Sequence, residues 1–262
     1  PNTFYAKTGG LAIPRGLTYL WTHITSHPVL WSLATTGAWL SRAQKRTIPL
    51  VVTLVLYLSY VVVVGGDFKP TGRFIIPVLP LLAVLAQGAI AAITASTYRA
   101  ALLIILAISI AWTGASRLED AQVHAQERHA NLVARKLVGD WIAANTPADT
   151  VIAIHSAGVI PYYSNRRTID MWGLTNRTIA RTEVTTMGSG MAGHEKTNPA
   201  YVFGLKPDLY LPEHRVFTLR AWDLEIAPSF PKEFEDNYES RSIQIDGRFL
   251  NLWVRSSKPN AL

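Results

Sequence analysis

The chain has 262 residues, no cysteine and a formal net charge of +7. The absence of cysteine excludes disulfides, thiolate nucleophiles and cysteine metal sites. Residues 1–116 hold eight Lys/Arg and a single acidic residue, whereas residues 117–262 hold seventeen residues of each sign. The excess positive charge therefore lies in loops between apolar stretches. It indicates membrane topology and contact with lipid, and we expect no nucleic acid partner.

The first 116 residues contain apolar stretches that predict about four transmembrane helices. The clearest lies at 74–98, where neighbouring helices and water can satisfy the carbonyl groups freed by Pro77 and Pro80. The other three are expected at 16–40, 48–64 and 100–115, and the first of these begins as an amphipathic helix at the membrane interface. Because the chain begins with Pro1 and not with Met, we expect it to be a piece of a longer protein.

Basic loops set the predicted orientation of these helices. Arg42, Lys45 and Arg46 lie between the first and second spans, and Arg99 lies between the third and fourth. Loops rich in Lys and Arg face the cytoplasm in membrane proteins. The N-terminal segment, the loop around Asp67 and the whole C-terminal part are therefore expected on the exterior side.

The C-terminal part changes from apolar spans to alternating short strands and helices, which predicts a small α/β domain. A long helix is expected at 118–145, and shorter ones at 159–164 and 199–205. Strands are expected at 150–154, 167–170, 208–211, 215–219, 240–245 and 249–255. The predicted fold class is therefore a membrane α-helical region of about four transmembrane helices, residues 1–116, followed by a small exterior α/β domain, residues 117–262.

A short polar loop separates two uncharged apolar stretches. Its Asp67 is the only acidic residue among the first 116, and Lys69 and Arg73 follow it closely. The two cations could hold a lipid-linked phosphate, the lysine as a point charge and the arginine as a bidentate fork. The alternative is a polar hairpin whose long cationic side chains only anchor it at the membrane interface.

A second candidate site opens the chain, where Asn2, Tyr5 and Lys7 precede the helix expected at the membrane interface. This polar and aromatic segment could contribute to the same site as the Asp67 loop. The alternative is a connector with no role in binding.

A third candidate lies in the α/β part. Asp170 ends a predicted strand, which is where open α/β sheets place ligand-binding groups. His194, Glu195 and Lys196 form a polar cluster in a glycine-rich loop that could contact a sugar, and Tyr162 could complete the same rim. The alternative for each residue is a structural role at the surface or in a loop. Because the Asp, Glu and His pairs do not match metal-ligand spacing, we expect no cofactor, although a divalent metal stays open.

Several short motifs follow one another along most of the chain. They are Pro1–Lys7, Gly65–Phe68, Gly72–Phe74, Pro77–Pro80, Tyr162–Tyr163, Ile169–Leu174, Ile179–Arg181 and Gly193–Lys196. In this order and spacing they resemble the C-terminal half of bacterial GT-C membrane glycosyltransferases. The likeness is to the terminal arabinofuranosyltransferase-like group of actinobacterial cell-wall synthesis in particular.

This resemblance implies a multi-pass protein of the bacterial plasma (inner) membrane with its C-terminal domain on the exterior, periplasmic side. It implies inverting transfer of a sugar from a polyprenyl-phosphate donor to a cell-envelope glycan acceptor. The residues implied in donor phosphate binding are Lys7, Lys69 and Arg73, supported by Asp67, Asn2 and Tyr5. The residues implied in acceptor binding are Asp170, His194, Glu195, Lys196 and Tyr162. No acidic pair matches the family's catalytic carboxylates, so we expect the general base upstream of residue 1.

A second class of function remains open, namely a non-catalytic membrane protein whose exterior α/β domain binds a glycan or a protein partner. The upstream sequence discriminates between the two, because an exterior loop with one or two acidic residues favours the enzyme. A transporter is a third option, but the predicted spans carry no charged residue, which transport pathways usually need.

Overall fold

The computed structural model describes residues 1–10, 12–68, 72–93, 95–116, 118–185, 187–212, 217–219, 221 and 229–258, without the side chains of Thr113 and Glu119. The chain divides into two compact units. The helical unit comprises Thr8–Gln122 and Thr185–Glu195, and the sheet unit comprises Pro1–Lys7, Val123–Val184 and Lys196–Leu262. The change of unit at 122/123 lies close to the predicted boundary at 116/117. Two short segments, at 1–7 and at 185–195, belong to the unit opposite to the one that their position in sequence predicts.

The described residues contain eleven α-helices. They are α1 (Asn2–Lys7), α2 (Ile13–Ser26), α3 (Pro28–Leu40), α4 (Thr47–Val63), α5 (Leu79–Ala92), α6 (Ser96–Ser116), α7 (Leu118–Asn145), α8 (Val159–Ser164), α9 (Arg177–Ala180), α10 (Pro199–Gly204) and α11 (Phe234–Asn237). The predicted helix at 118–145 is confirmed by α7, and the predicted helix at 159–164 by α8.

Prolines begin helices of the helical unit instead of interrupting them. Pro28 is the first residue of α3, and Pro80 lies in the first turn of α5. Pro77 belongs to a separate single turn of 3-10 helix, Ile76–Val78. At a helix start the missing N–H of proline costs no hydrogen bond, and its fixed φ suits the helix. The apolar helix expected to run from residue 74 therefore starts at residue 79.

Close backbone crossings join two pairs of helices in this unit. α3 packs against α5, and a Cβ atom on Gly37 would lie 1.8 Å from the carbonyl oxygen of Leu85. α2 packs against α4, and a Cβ atom on Gly16 would lie 2.1 Å from the carbonyl oxygen of Val62. Small residues at crossings let helices approach this closely and pack without a large side chain between them.

One helical stretch among the described residues, Ser96–Asn145, is long and apolar enough to cross a membrane. Thr47–Val63 and Ile76–Ala92 are also apolar but shorter. The structure thus has an apolar helical N-terminal region, as predicted, and the finer expectation of about four transmembrane helices stays a prediction.

The sheet unit is built on a mixed six-stranded sheet. Its strands are β1 (Val151–Ile154), β2 (Arg167–Asp170), β3 (Leu209–Leu211), β4 (Phe217–Thr218), β5 (Tyr238–Ile245) and β6 (Arg248–Arg255). The order is β2-β1-β3-β6-β4, with β5 also paired to β6. β1 is parallel to β2 and β3, and all pairs made by β6 are antiparallel. Of the strand predicted at 215–219, residues 215 and 216 lie outside the described part.

Helices cover the sheet on both faces, which confirms the predicted α/β layers. Val138 and Ile142 of α7 and Ile160 of α8 pack with β-strand residues in one core. The other core is rich in aromatic rings, among them Phe203 of α10 and Phe234 of α11. The Asp246–Gly247 turn fixes the register of the β5–β6 hairpin, because both residues adopt the positive φ that a two-residue hairpin turn requires.

Candidate functional site

A tight glycine turn ends α4 and positions the Asp67 loop in the helical unit. Gly65 and Gly66 have φ of 79° and 68°, a left-handed conformation that glycine adopts without strain. The turn also lies directly against α2. A Cβ atom on Gly65 would lie 2.7 Å from Nη2 of Arg15, and one on Gly66 would lie 2.5 Å from Cγ of Tyr19. The two glycines therefore provide both the turn and the close approach.

Arg15, in the first turn of α2, connects three segments of the helical unit. Its Nε donates to the carbonyl oxygen of Gly65 at 3.0 Å. Its Nη1 donates to the carbonyl oxygen of Gly190 at 2.8 Å and to Oε1 of Glu195 at 2.8 Å. We call this arrangement the Arg15 clamp. It ties the glycine turn after α4 and the glycine-rich 188–195 loop to the same helix end.

Glu195 is the buried acidic partner in the clamp, with its side chain 2% exposed. Its Oε1 also accepts hydrogen bonds from the backbone N–H groups of Gly188 at 2.7 Å and Gly190 at 3.0 Å. Burial alone would raise the pKa of the Glu195 carboxyl, but the bonds from Arg15 and from the two N–H groups outweigh it, so the pKa lies below its usual value. The carboxylate is therefore held in its charged form.

A second ion pair organises the Asp67 loop itself. The guanidinium of Arg73 binds both carboxylate oxygens of Asp67, Nη2 to Oδ1 at 2.9 Å and Nε to Oδ2. Asp67 is 3% exposed in its side chain, whereas Arg73 is 46% exposed. The hydroxyl of Tyr19 accepts the N–H of Phe74 at 3.2 Å, which fixes the end of the loop on α2. Asp67 thus orients an arginine that faces solvent.

His194 also joins this part of the helical unit. Its ring meets that of Phe68 edge to face, with centroids 4.9 Å apart. Phe68 follows Asp67 directly, and His194 precedes Glu195, so the two predicted site loops are in contact. The structure therefore brings together Asp67, Arg73, His194 and Glu195. We call this set, with Arg15, the polar loop cluster. Lys69, the other predicted cation of the loop, lies outside the described residues.

Asp170 has a different environment, at the end of β2 in the sheet unit. Its buried carboxylate accepts hydrogen bonds from the N–H of Trp172 at 2.9 Å, the N–H of Thr175 at 2.7 Å and the hydroxyl of Thr175 at 3.2 Å. The carbonyl oxygen of Thr175 in turn accepts a hydrogen bond from the Asn2 side chain at 3.3 Å. Asp170 therefore shapes the turn on which the N-terminal segment rests.

The remaining residues of the N-terminal segment lie in the sheet unit too. α1 packs against α9, and the guanidinium of Arg181 lies 4.3 Å from the centroid of the Tyr5 ring. Lys196 is buried there and donates to the carbonyl oxygen of Ala180 at 2.9 Å. Burial lowers the pKa of Lys196, an effect that the nearby Glu183 opposes. Lys7 is exposed at the end of α1.

Tyr162 is highly exposed, at 80%. It lies on α8 of the sheet unit, edge to face with Tyr163 at a centroid distance of 5.1 Å. The Nζ atom of Lys136 lies 4.6 Å from the Tyr163 ring. This pair of tyrosines is a fixed aromatic surface next to a cation.

The predicted donor and acceptor sets are each divided between the two units. Of the donor set, Arg73 belongs to the helical unit and Lys7 to the sheet unit; of the acceptor set, His194 and Glu195 belong to the helical unit and Asp170, Lys196 and Tyr162 to the sheet unit. Their binding roles stay predictions. In the described part of the chain, no group of three or more His, Asp or Glu is arranged to hold a metal ion.

Sequence reasoning missed Arg15 and Tyr19. One signal pointed to the arginine, because Arg15 is the only Lys, Arg, Asp or Glu between Lys7 and Arg42. An isolated charge in such a stretch needs a partner. The sequence offers no indication that the partner is Glu195, which lies 180 positions away.

The fold and the site define a class of protein in which an apolar helical unit with ion-paired polar loops is joined to an α/β sheet unit. Residues 119–253 match the family model described as Domain of unknown function (DUF8728), and the chain belongs to this family. No curated protein and no solved structure matches the chain significantly.

Proposed function

We propose that the chain is part of an integral membrane glycosyltransferase that moves a sugar from a polyprenyl-phosphate donor to a cell-envelope glycan on the exterior face of the membrane. The observation that carries the proposal is the half-exposed side chain of Arg73, whose guanidinium is oriented by the buried Asp67 in a loop that follows an apolar helix. A fixed, solvent-facing fork of this kind is suited to a phosphate oxygen pair.

The exposure of apolar side chains supports the membrane part of the proposal. Ile108 and Trp112 of α6 are highly exposed, and the apolar window of the candidate span has no buried residues within the described part. A core helix of a soluble protein of the same composition would be mostly buried. Large apolar surfaces of this extent are typical of contact with lipid or with another protein.

The proposed chemistry needs a stabilised leaving group and a base. Arg73 would pair with the phosphate as it leaves, and Lys69 of the same loop would add the net positive charge that the neutral Asp67–Arg73 pair lacks. The acceptor hydroxyl needs a general base, which we assign to a carboxylate upstream of residue 1. On the acceptor side, the ring contact between His194 and Phe68 of the Asp67 loop supports a role for His194 in this proposal. The proposed step uses no cofactor, and the need for a divalent metal stays open.

The test uses the full-length protein and sugar transfer from polyprenyl-phosphate donors. We expect Arg73→Ala to raise the donor KM by roughly tenfold or more, since a hydrogen bond to a charged group contributes about 1.5–3 kcal/mol. Lys69→Ala should act in the same direction. Arg99→Ala, which removes a positive charge on the predicted cytoplasmic side, is the matched control and should leave KM unchanged. An unaltered donor KM in both loop variants would remove the phosphate-binding assignment.

One observation favours the second candidate, a non-catalytic membrane protein that binds glycan through its sheet unit. Tyr162 presents an exposed ring backed by Tyr163 and Lys136, and aromatic rings with a polar edge are common at binding surfaces. If the full-length protein transfers no sugar yet binds a cell-envelope glycan, and Tyr162→Ala abolishes that binding, this candidate replaces the first.

A further inference from the structure

A cavity of about 680 Å³ lies in the helical unit, where α3 ends, α4 begins and α5 ends. Its polar lining includes Ser41, Gln44, Arg46 and Gln87, and its apolar lining includes Leu50 and Val84. This volume falls in the range of roughly 300–1,000 Å³ that small-molecule sites occupy. The mixed lining suits an amphiphile, which presents a polar group and a hydrocarbon chain together.

Two glycines shape the wall of this cavity. Gly37 of α3 and Gly88 of α5 both line it. A Cβ atom on Gly88 would come within 2.8 Å of Oγ of Ser41, and one on Gly37 would collide with the backbone of α5. The close crossing of α3 and α5 is therefore possible only without side chains here.

The cavity lining carries a positive charge, and no acidic residue lies close to that charge in sequence. Arg46 is the cation among the described lining residues, and its Nε donates to Oε1 of Gln44 at 2.9 Å, which orients the guanidinium. Arg42 of the same loop instead donates to the carbonyl oxygen of Trp39 at 2.7 Å and lies over the Trp39 ring. Cations at a membrane surface attract anionic lipid headgroups.

The acidic residue closest in sequence cannot neutralise Arg46. Asp67 is the single carboxylate of the first 116 residues, and it follows the far end of α4, a helix of 17 residues. That helix is about 25 Å long at 1.5 Å per residue. Asp67 is moreover paired with Arg73.

An amide on α5 gives a second, independent indication that the cavity binds a polar group. Gln87 is the only polar side chain of that helix, and it lines the cavity. An amide among apolar residues is costly in hydrocarbon unless it finds a hydrogen-bond partner. The carbonyl and hydroxyl oxygens of a lipid headgroup would provide one.

We propose that this cavity binds the phosphate headgroup of an anionic phospholipid of the cytoplasmic leaflet. Arg46 pairs with the phosphate, Gln44 and Gln87 bind the oxygens around it, and the hydrocarbon chain runs along Leu50 and Val84. The inference rests on the membrane part of the proposed function and on the orientation that the basic loops predict. It does not depend on sugar transfer, and its test uses no transfer assay.

The experiment is a lipid titration of the detergent-extracted, delipidated full-length protein, read by native mass spectrometry. We expect phosphatidylglycerol to bind more tightly than phosphatidylcholine, and inorganic phosphate not to displace it. Arg46→Gln should weaken phosphatidylglycerol binding about fivefold, in line with about 1 kcal/mol for a cation near the lipid surface. Ala91→Phe, which fills the cavity without changing any charge, should prevent binding.

Lys45→Gln is the matched control, because it removes the same charge from the same loop. It should change the affinity less than twofold. If Lys45→Gln and Arg46→Gln lose equal affinity for phosphatidylglycerol and Ala91→Phe has no effect, the proposal is overturned in favour of general attraction between a basic loop and the membrane. Displacement by inorganic phosphate would overturn it in favour of a free-anion site. A full-length protein that is recovered without membrane or detergent would overturn this inference and the membrane part of the proposed function together.

Discussion

Arg15 and Glu195 form a hydrogen-bonded ion pair at 2.8 Å across 180 positions of sequence, inside the helical unit. Arg15 is partly exposed, and Glu195 is almost completely buried. Arg15 also donates to the carbonyl oxygens of Gly65 and Gly190, and Glu195 also accepts the N–H of Gly188, so the pair fixes loops as well as charges. The 185–195 segment, which follows residues of the sheet unit in sequence, is thereby part of the helical unit.

Removal of the buried carboxylate should destabilise the helical unit. In Glu195→Ala, Arg15 loses its anion and two backbone N–H groups lose their acceptor, and breaking a buried pair from one side costs about 3 kcal/mol. Thermal unfolding of the full-length protein in detergent measures the loss. Lys136→Gln is the control, because it removes one member of a solvent-exposed pair with Asp140 and should leave the melting temperature unchanged. Equal melting temperatures for both variants and the parent would show that the clamp contributes nothing.

The same carboxylate should make stability depend on pH in the acid range. The folded-state pKa of Glu195 lies below the unfolded value of 4.5, so its contribution is complete above that value and is lost as pH falls through the folded pKa. The difference in unfolding free energy between the parent and Glu195→Gln should therefore be constant near neutral pH and shrink below about pH 4.5. Unfolding curves at a series of pH values measure this difference. A difference that grows towards acid pH would contradict the assignment.

The crossing of α3 and α5 should not accept a side chain at Gly37. Gly37→Ala places a methyl group against the backbone of α5, and forcing the helices apart costs about 1–3 kcal/mol. Gly114→Ala is the matched control, since Gly114 lies on α6 with no atom within 4 Å of the added Cβ. In a helix interior this control should be neutral or slightly stabilising. Comparable melting temperatures for the two variants would contradict the packing described for Gly37.

Substitution of Asp170 should lower the stability of the sheet unit, apart from any effect on binding. Asp170→Ala leaves the N–H groups of Trp172 and Thr175 without their carboxylate acceptor, and we expect a loss of about 2 kcal/mol in the sheet unit. In the full-length Asp170→Ala protein, hydrogen exchange of the amides at 172 and 175 should be faster than in the parent. Tyr162→Ala, at an exposed position, should leave exchange unchanged, and it separates a binding effect from a structural one. Unchanged exchange at 172 and 175 in Asp170→Ala would contradict a structural role for Asp170 in this turn.

Local sequence patterns were sufficient for most elements of the sheet unit. The long helix at 118–145 and the strands at 167–170 and 249–255 follow from apolar periodicity and turn residues, and the structure places them within one or two residues of the prediction. The apolar residues of α7 differ in burial. Val138 and Ile142 are buried, but Leu132 and Val133 are exposed, because the sheet covers only the end of that helix.

Predictions of contact were reliable only where the residues are near in sequence. The pairing of Asp67 with Arg73 spans six positions and was foreseeable from a loop that holds one acid and two cations. The hydrogen bond from Asn2 to the carbonyl oxygen of Thr175 spans 173 positions and was not foreseeable. Nothing in a one-dimensional pattern indicates which distant loop supplies the acceptor for a given donor.

The sequence by itself determined that an apolar, basic region precedes an α/β region, because hydrophobic periodicity and charge are local properties of the chain. It also singled out the Asp67 loop, through its isolated charge. Only the tertiary structure decided that Arg15 and Glu195 share the helical unit with that loop, while Lys7, Asp170 and Lys196 belong to the sheet unit. The reason is physical: a buried charge must find its partner wherever the fold brings one, and that choice depends on packing over the whole chain.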